Sequence, residues 1–194
     1  MTTTATPAPP AIVTAVRRAV LGEFRRDSCI AATRVVIEVC AYFGIEASPV
    51  PVKVAAFTPI AWELRDSLVT QPSDTWPRGA WSAGVAGTSG TSRPGRWDGH
   101  LVATADHGGP WLLDASLDQL ARPARGLVVE ARAFPLPHGM PVPDADLSIK
   151  LPSGVVIVYG HLADEAWRDS PNWRAQGQAI RRVAGGAIRA LRQA

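Results

Sequence analysis

The sequence predicts an α+β fold, on three observations. Helical periodicity occupies both ends of the chain. A second run, residues 29–43, is apolar on nearly every side. The stretch between residues 47 and 160 breaks into short alternating segments divided by glycine- and proline-rich turns. The expected core is a central buried helix packed on a mainly antiparallel sheet, with flanking N- and C-terminal helices. At 194 residues, 46% hydrophobic and 19% charged, the chain supplies one core well and two poorly. A single domain over residues 11–194 is therefore expected, behind a loose Thr- and Pro-rich tail over residues 1–10.

From Ala11 to Phe24, Ile12, Val16, Val20 and Phe24 recur at helical spacing while Arg17 and Arg18 face elsewhere, as in an amphipathic surface helix. In the next helix Cys29, Thr33, Val36, Cys40 and Phe43 form one stripe. Ile30, Val35, Ile37 and Val39 surround it, leaving Arg34 and Glu38 as a narrow polar edge; such a helix belongs inside a domain, and Gly44 stops it. Val50, Val52 and Val54 then alternate with Pro51 and Lys53, a half-buried strand whose prolines place its start near an edge. "AWELRDSLV" reads as a short helix. Residues 71–99 are dense in Gly, Ser, Pro and Thr but hold Trp76, Trp81 and Trp97, so they read as a loop folded over something, with a short strand around "AWSAGVA".

"HLVATA", "DHGGP" and "WLLDAS" make a hairpin, "GLVVEARAF" a further strand, and "LSIKLPSGVVIVYG" a second hairpin turning at Pro152-Ser153-Gly154. A helix from about Asn172 closes the chain, with Ile180, Val183, Ala184, Ala187, Ile188 and Leu191 on its apolar side. Its Gly185-Gly186 pair marks a kink or a close helix contact.

The formal charge of +3 is carried almost wholly by arginine, with lysine only at Lys53 and Lys150; it permits an acidic partner without requiring one. Cys29 and Cys40 lie eleven positions apart on one helix, about 16 Å at ~1.5 Å per residue, too far to bridge. With no basic leader and no apolar run of membrane-spanning length, the expectation is a cytoplasmic protein with reduced thiols and no membrane partner.

Chemistry points first to Cys29. A cysteine in the first turn of a helix feels the positive end of the helix dipole, which favours the nucleophilic thiolate. With Asp27 or Ser28 as N-cap, the Cys29 N–H is unsatisfied and faces a substrate oxyanion. The competing reading is a buried structural thiol, the reading adopted for Cys40. The hairpin bears on this choice. If residues pair across "DHGGP" with an even sum near 216, His100 and Asp114 become diagonal neighbours on one face; an odd sum separates them. In the even register Asp114 orients His100, and His100 takes the proton from Cys29.

The order Cys, His, Asp, carried by "CIAATRVVIEVCAYFGIEASPVPVKV", "GHLVAT" and "WLLDASLDQ", resembles the transglutaminase-like superfamily over residues 27–118. The resemblance implies a papain-like core, shared with arylamine N-acetyltransferases and, more distantly, NlpC-type relatives. It also implies a Cys29, His100, Asp114 triad. Val102 stands where many relatives carry an aromatic residue, and Asp114-Ala115 replaces Asp-Pro. The chain also lacks the longer helical segment before the nucleophile of the acetyltransferases, which ranks peptidase, amidase or transamidase chemistry above acetyl-CoA use.

Two functions of different class follow. One is a cysteine-dependent acyl-transfer enzyme acting on a peptide or a small acyl or amide substrate, with Trp81 and Trp97 lining the substrate site, Trp97 also serving the oxyanion, and no cofactor or metal. The other is a papain-like binding module that holds a protein or nucleic acid through the Trp-containing loop or through Arg174, Arg181, Arg182, Arg189 and Arg192, a basic stripe on the last helix. His107, His138 and His161 read as turn, loop and strand-end residues. A zinc site from Cys29, His100, Asp106 and His107 has no recognised spacing, and "GVAGTSG" lacks the Lys-Ser/Thr of a phosphate loop.

Overall fold

In the computed structural model, which describes residues 6–24, 28–87, 97–137, 146–174 and 177–194, the strands pair throughout in antiparallel register. Helix α1 (Pro9–Leu21) leads into α2 (Cys29–Tyr42) and strand β1 (Ala47–Phe57). Two short helices, α3 (Pro59–Glu63) and α4 (Arg65–Leu68), precede β2 (Ser82–Val85), β3 (His100–Asp106) and β4 (Pro110–Asp114). Then come β5 (Arg132–Pro135), β6 (Leu147–Lys150), β7 (Val156–His161), α5 (Pro171–Arg174) and α6 (Gln178–Gln193). The sheet runs β5-β4-β3-β1-β7-β6 and curls into a half-barrel, with β2 beside the second half of β1.

Alternation along the strands divides the interior in two. Ala103, Ala105, Leu113 and Ala133 face a helical layer of α1, α2 and α6, where Ile12, Val16, Val35, Val36, Val39 and Val183 pack. Alanine at three of those four sheet positions leaves room for α2, whose buried valines each contribute about 1.5–3 kcal/mol. Val52, Val102, Leu112, Phe134, Ile157 and Tyr159 point into the concave face, which Leu117, Leu120, Leu127 and Val129 close. Among the described residues no helix is long and apolar enough to cross a membrane.

Local rules account for the element ends. The helix α2 stops in a Schellman turn: Gly44 takes φ +73°, and the Ile45 and Gly44 N–H groups donate to the carbonyls of Cys40 and Ala41. Pro9 and Pro10, assigned to a loose tail by composition, instead open α1, where proline at the first positions is pre-set for a helix. The strand β1 is central from Val52 onward, where β7 joins it, while its start, residues 47–51, pairs only with β3 and so lies at an open edge, as the prolines predict. It tolerates Pro49 and Pro51 because the ladder to β3 uses the intervening residues and β7 pairs only from Val52 onward.

Three further expectations change. Only residues 132–134 of "GLVVEARAF", together with the following Pro135, join the sheet. The last helix runs unbroken from Gln178, and a Cβ on Gly185 or Gly186 would meet only the Arg189 side chain, so the glycine pair marks no close helix contact. Arg174 lies on α5, paired with Asp169, and so stands off the basic stripe; Arg181, Arg182, Arg189 and Arg192 are exposed on α6. Asp27, His138 and the middle of the glycine-rich stretch, 88–96, lie outside the described residues.

Candidate active site

Pairing of β3 with β4 sets Ala103 opposite Leu113 and Thr104 opposite Leu112, a sum of 216. This even register is the one in which His100 and Asp114 share a face. The imidazole Nε2 of His100 lies 2.7 Å from Asp114 Oδ2, and both side chains are fully buried. Asp114 collects three further donors: the Tyr159 hydroxyl at 3.0 Å on Oδ2, and the Ser116 N–H at 3.0 Å and hydroxyl at 3.4 Å on Oδ1. A buried carboxyl group so surrounded has both oxygens satisfied inside an apolar core.

Cys29 is the first residue of α2, with Ser28 at the N-cap position but giving no side-chain cap bond. By its place in the first turn, the Cys29 N–H has no intrahelical partner. The Cys29 thiol donates to the Gly99 carbonyl oxygen at 4.0 Å, and Cys29 is near enough to the His100 ring to raise its pKa. The helix packs on one face of the sheet while His100 points to the other. Both residues are the first of their elements, Cys29 of α2 and His100 of β3. One turn into α2, the Thr33 hydroxyl donates to the Leu101 carbonyl at 2.7 Å and so fixes helix against strand. Thr33→Val should therefore cost about 1 kcal/mol in urea unfolding and slow alkylation of Cys29, because helix and strand lose their polar tie.

Burial works against charge on His100. The charge of Asp114, its hydrogen bond and the contacts with Cys29 more than reverse this, and the imidazole pKa is pushed up to about 10. Burial, together with the charge of Asp114 and the bond to it, pushes the Tyr159 phenol well above its usual range. At neutral pH His100 is thus an imidazolium with a donor N–H on each nitrogen. Nε2 is committed to Asp114; Nδ1 faces Gln119, whose side-chain amide nitrogen lies 2.5 Å from it.

Trp97 is half-buried in one apolar cluster with Cys29, Ile30, Leu101 and Trp167. Its ring covers Gly99 so closely that any side chain there would collide with it and with Leu162. Its indole N–H is buried and finds no hydrogen-bond partner among the described residues. Trp81 is not brought to this site: it bonds Thr58 beyond the far end of β1 and stacks under the Arg125 guanidinium at 3.9 Å. Thr58 lies six residues along the chain from Val52, which pairs with His100; at ~3.3 Å per residue that is about 20 Å.

Among the other histidines, His107 is in the hairpin turn, where its carbonyl accepts from Trp111, and His161 is exposed at the end of β7. Among the described residues no group of three His, Cys, Asp or Glu is arranged to hold a metal ion. Arg17 does not face outward. It is buried in an ion pair with Asp118 at 2.6 Å.

No family model, curated protein or solved structure matches the chain.

Proposed function

We propose that the protein is a cysteine-dependent acyl-transfer enzyme with a transglutaminase-like, papain-like core, acting on a peptide or a small acyl or amide substrate in a compartment that keeps thiols reduced. One observation carries the reading: the His100 ring is held by Asp114 through Nε2 while Cys29, at the head of a buried helix, lies near enough to the same ring to raise its pKa.

In this mechanism the proton of Cys29 rests on His100, and the thiolate attacks the carbonyl carbon, forming the C–S bond as the C=O π pair moves to oxygen. The N–H of Cys29 receives that oxyanion, with the partnerless Trp97 indole N–H as the second donor. As the oxyanion collapses, the C–N bond breaks and His100 gives its Nδ1 proton to the leaving amine. Water or an amine then attacks the thioester, surrendering a proton to His100 and returning the pair to its starting state. Asp114 stays ionised throughout and keeps the ring in place.

The full burial of His100 and Asp114 favours a second reading, a binding module in which the same cluster only cements β3 and β4. Thiol reactivity separates the two. For the enzyme, iodoacetamide at neutral pH modifies Cys29 at least about tenfold faster than a free thiol, and His100→Ala abolishes the advantage. Cys40 is an internal control: burial pushes its thiol up to about 11, so it reacts slowly. A Cys29 that reacts at the free-thiol rate, with or without His100, makes the protein a binding module.

A further inference from the structure

Gln119 lies on a single 3-10 turn, Leu117–Leu120, between two anchors of opposite character. On one side Leu117 and Leu120 are buried in the concave core. On the other, Asp118 is ion-paired to Arg17 of α1, and both side chains are largely shielded. The turn is therefore held by apolar contact and by charge at once, and its amide is presented to His100 at 2.5 Å. Nothing in the acyl-transfer reading accounts for a polar group placed so deliberately on the ring nitrogen that Asp114 leaves free.

We propose that Gln119 is a positioning residue of the acyl-transfer site: its side-chain carbonyl accepts the Nδ1–H of His100, and the Arg17–Asp118 pair holds the turn that presents it. This rests on the reading of Cys29 and His100 as a reacting pair.

Three arguments support it. First, a ring with an N–H on each nitrogen leaves Nδ1 a donor. An amide NH2 at that distance would be donor against donor, whereas turning the amide end for end supplies an acceptor with no change in shape. Secondly, Gln119 faces Nδ1 while Cys29 still lies near enough to the ring to raise its pKa, so the amide does not drive the two apart. Thirdly, an amide carbonyl is neutral and takes no proton. It fixes the plane of the ring and favours its charged form, yet leaves the Nδ1 proton available to a leaving group. A carboxylate there would hold that proton too firmly, and an apolar side chain would leave the N–H without that acceptor.

The groups bearing on His100 are Asp114 from β4, Cys29 from α2, Tyr159 from β7 through Asp114, and the Arg17–Asp118 pair flanking Gln119. Exposed Asp98 precedes β3 by two residues, and His161 shares Val52 as a pairing partner with His100. Because Gln119 is uncharged, exchanging it for groups of opposite electrostatic character isolates its part.

The test is a histidine NMR titration of the full chain between pH 5 and 11, the His100 resonance being assigned by its absence in His100→Ala, alongside iodoacetamide labelling of Cys29. Gln119→Leu lowers the His100 midpoint by about one pH unit, since one acceptor of the charged form is lost. Gln119→Glu raises it by a comparable amount and slows labelling at neutral pH, since a carboxylate beside the ring repels the thiolate. Opposite shifts from two substitutions at one site are not produced by loosened packing. Circular dichroism and thermal unfolding confirm that the variants compared are folded. If both variants shift the midpoint the same way, or neither does, while His100→Ala still slows labelling, Gln119 is only a packing residue and the acyl-transfer reading stands. If His100→Ala leaves the labelling rate unchanged, that reading itself falls.

Discussion

Asp114→Ala is expected to destabilise the protein by about 3–5 kcal/mol, and Asp114→Asn to keep the fold while slowing acylation of Cys29 by a factor on the order of 10³. The alanine variant removes the acceptor of three side-chain groups and one backbone N–H at once. His100, Tyr159 and Ser116 lose their shared partner inside the concave core. It also leaves the imidazolium buried with no counter-charge, so the ring must either give up its proton or draw water into the fold. Asparagine preserves the volume and one acceptor oxygen. That oxygen cannot serve both the Nε2–H of His100 and the donors of Ser116, because the amide NH2 must then face a donor. The ring loses its fixed orientation and its charge, while the surrounding leucines and valines stay packed. Urea unfolding measures the first effect and single-turnover labelling with an acyl-donor probe the second. An Asp114→Asn protein as reactive as the parent would mean that Asp114 is a structural residue only.

Much of this site was legible in the sequence because hairpin geometry is nearly arithmetic. Once "DHGGP" is taken as the turn, the parity of one sum decides whether His100 and Asp114 share a face, and the observed register supplies the parity required. The position of Cys29 follows from equally local rules, a helix that starts at residue 29 and stops in a glycine turn. What was not legible depends on how distant elements close on one another. Tyr159 reaches Asp114 only because the sheet curls; the sequence signal was a polar-tipped ring within "VVIVYG", where a buried tyrosine needs a partner.

Gln119 left no signal at all, since its role depends on how the turn after β4 folds back onto the ring. Helical periodicity placed Arg17 on the polar side of α1, correctly as angle, but Asp118 fills that side and buries it. Trp81 was chosen for its place in a tryptophan-containing loop. The loop's path along β1 carries it past the end of the strand, away from Val52, which pairs with His100 at mid-strand. Periodicity thus fixes which face a residue occupies, and tertiary closure decides what lies across from it.

Stability is expected to fall on the alkaline side in three steps, and His100 produces the first. Its folded pKa of about 10 stands above the 6.5 of an ordinary histidine. Below pH 6.5 both folded and unfolded states hold the proton, so the contribution is fully present. Between 6.5 and 10 only the folded state holds it; unfolding then releases a proton, and stability is lost as pH rises at up to about 1.4 kcal/mol per pH unit. Above 10 neither state holds it and the contribution is gone. The buried Cys40 thiol, pushed from 9.0 to about 11, adds a second decline over that higher window. The Tyr159 phenol, raised above 10, adds a third that opens from pH 10 upward and overlaps the second.

Because the windows are staggered, the interval from pH 6.5 to 9 reports on His100 almost alone. Urea midpoints should drop steadily across that interval in the parent protein and stay flat in His100→Gln, which keeps a hydrogen-bonding side chain but has no proton to lose. A parent protein with a level profile from pH 6.5 to 9 would show that His100 is neutral in the folded state. The proton shared between Cys29 and the ring would then rest on sulfur, and the site would have to generate its thiolate only after substrate binds.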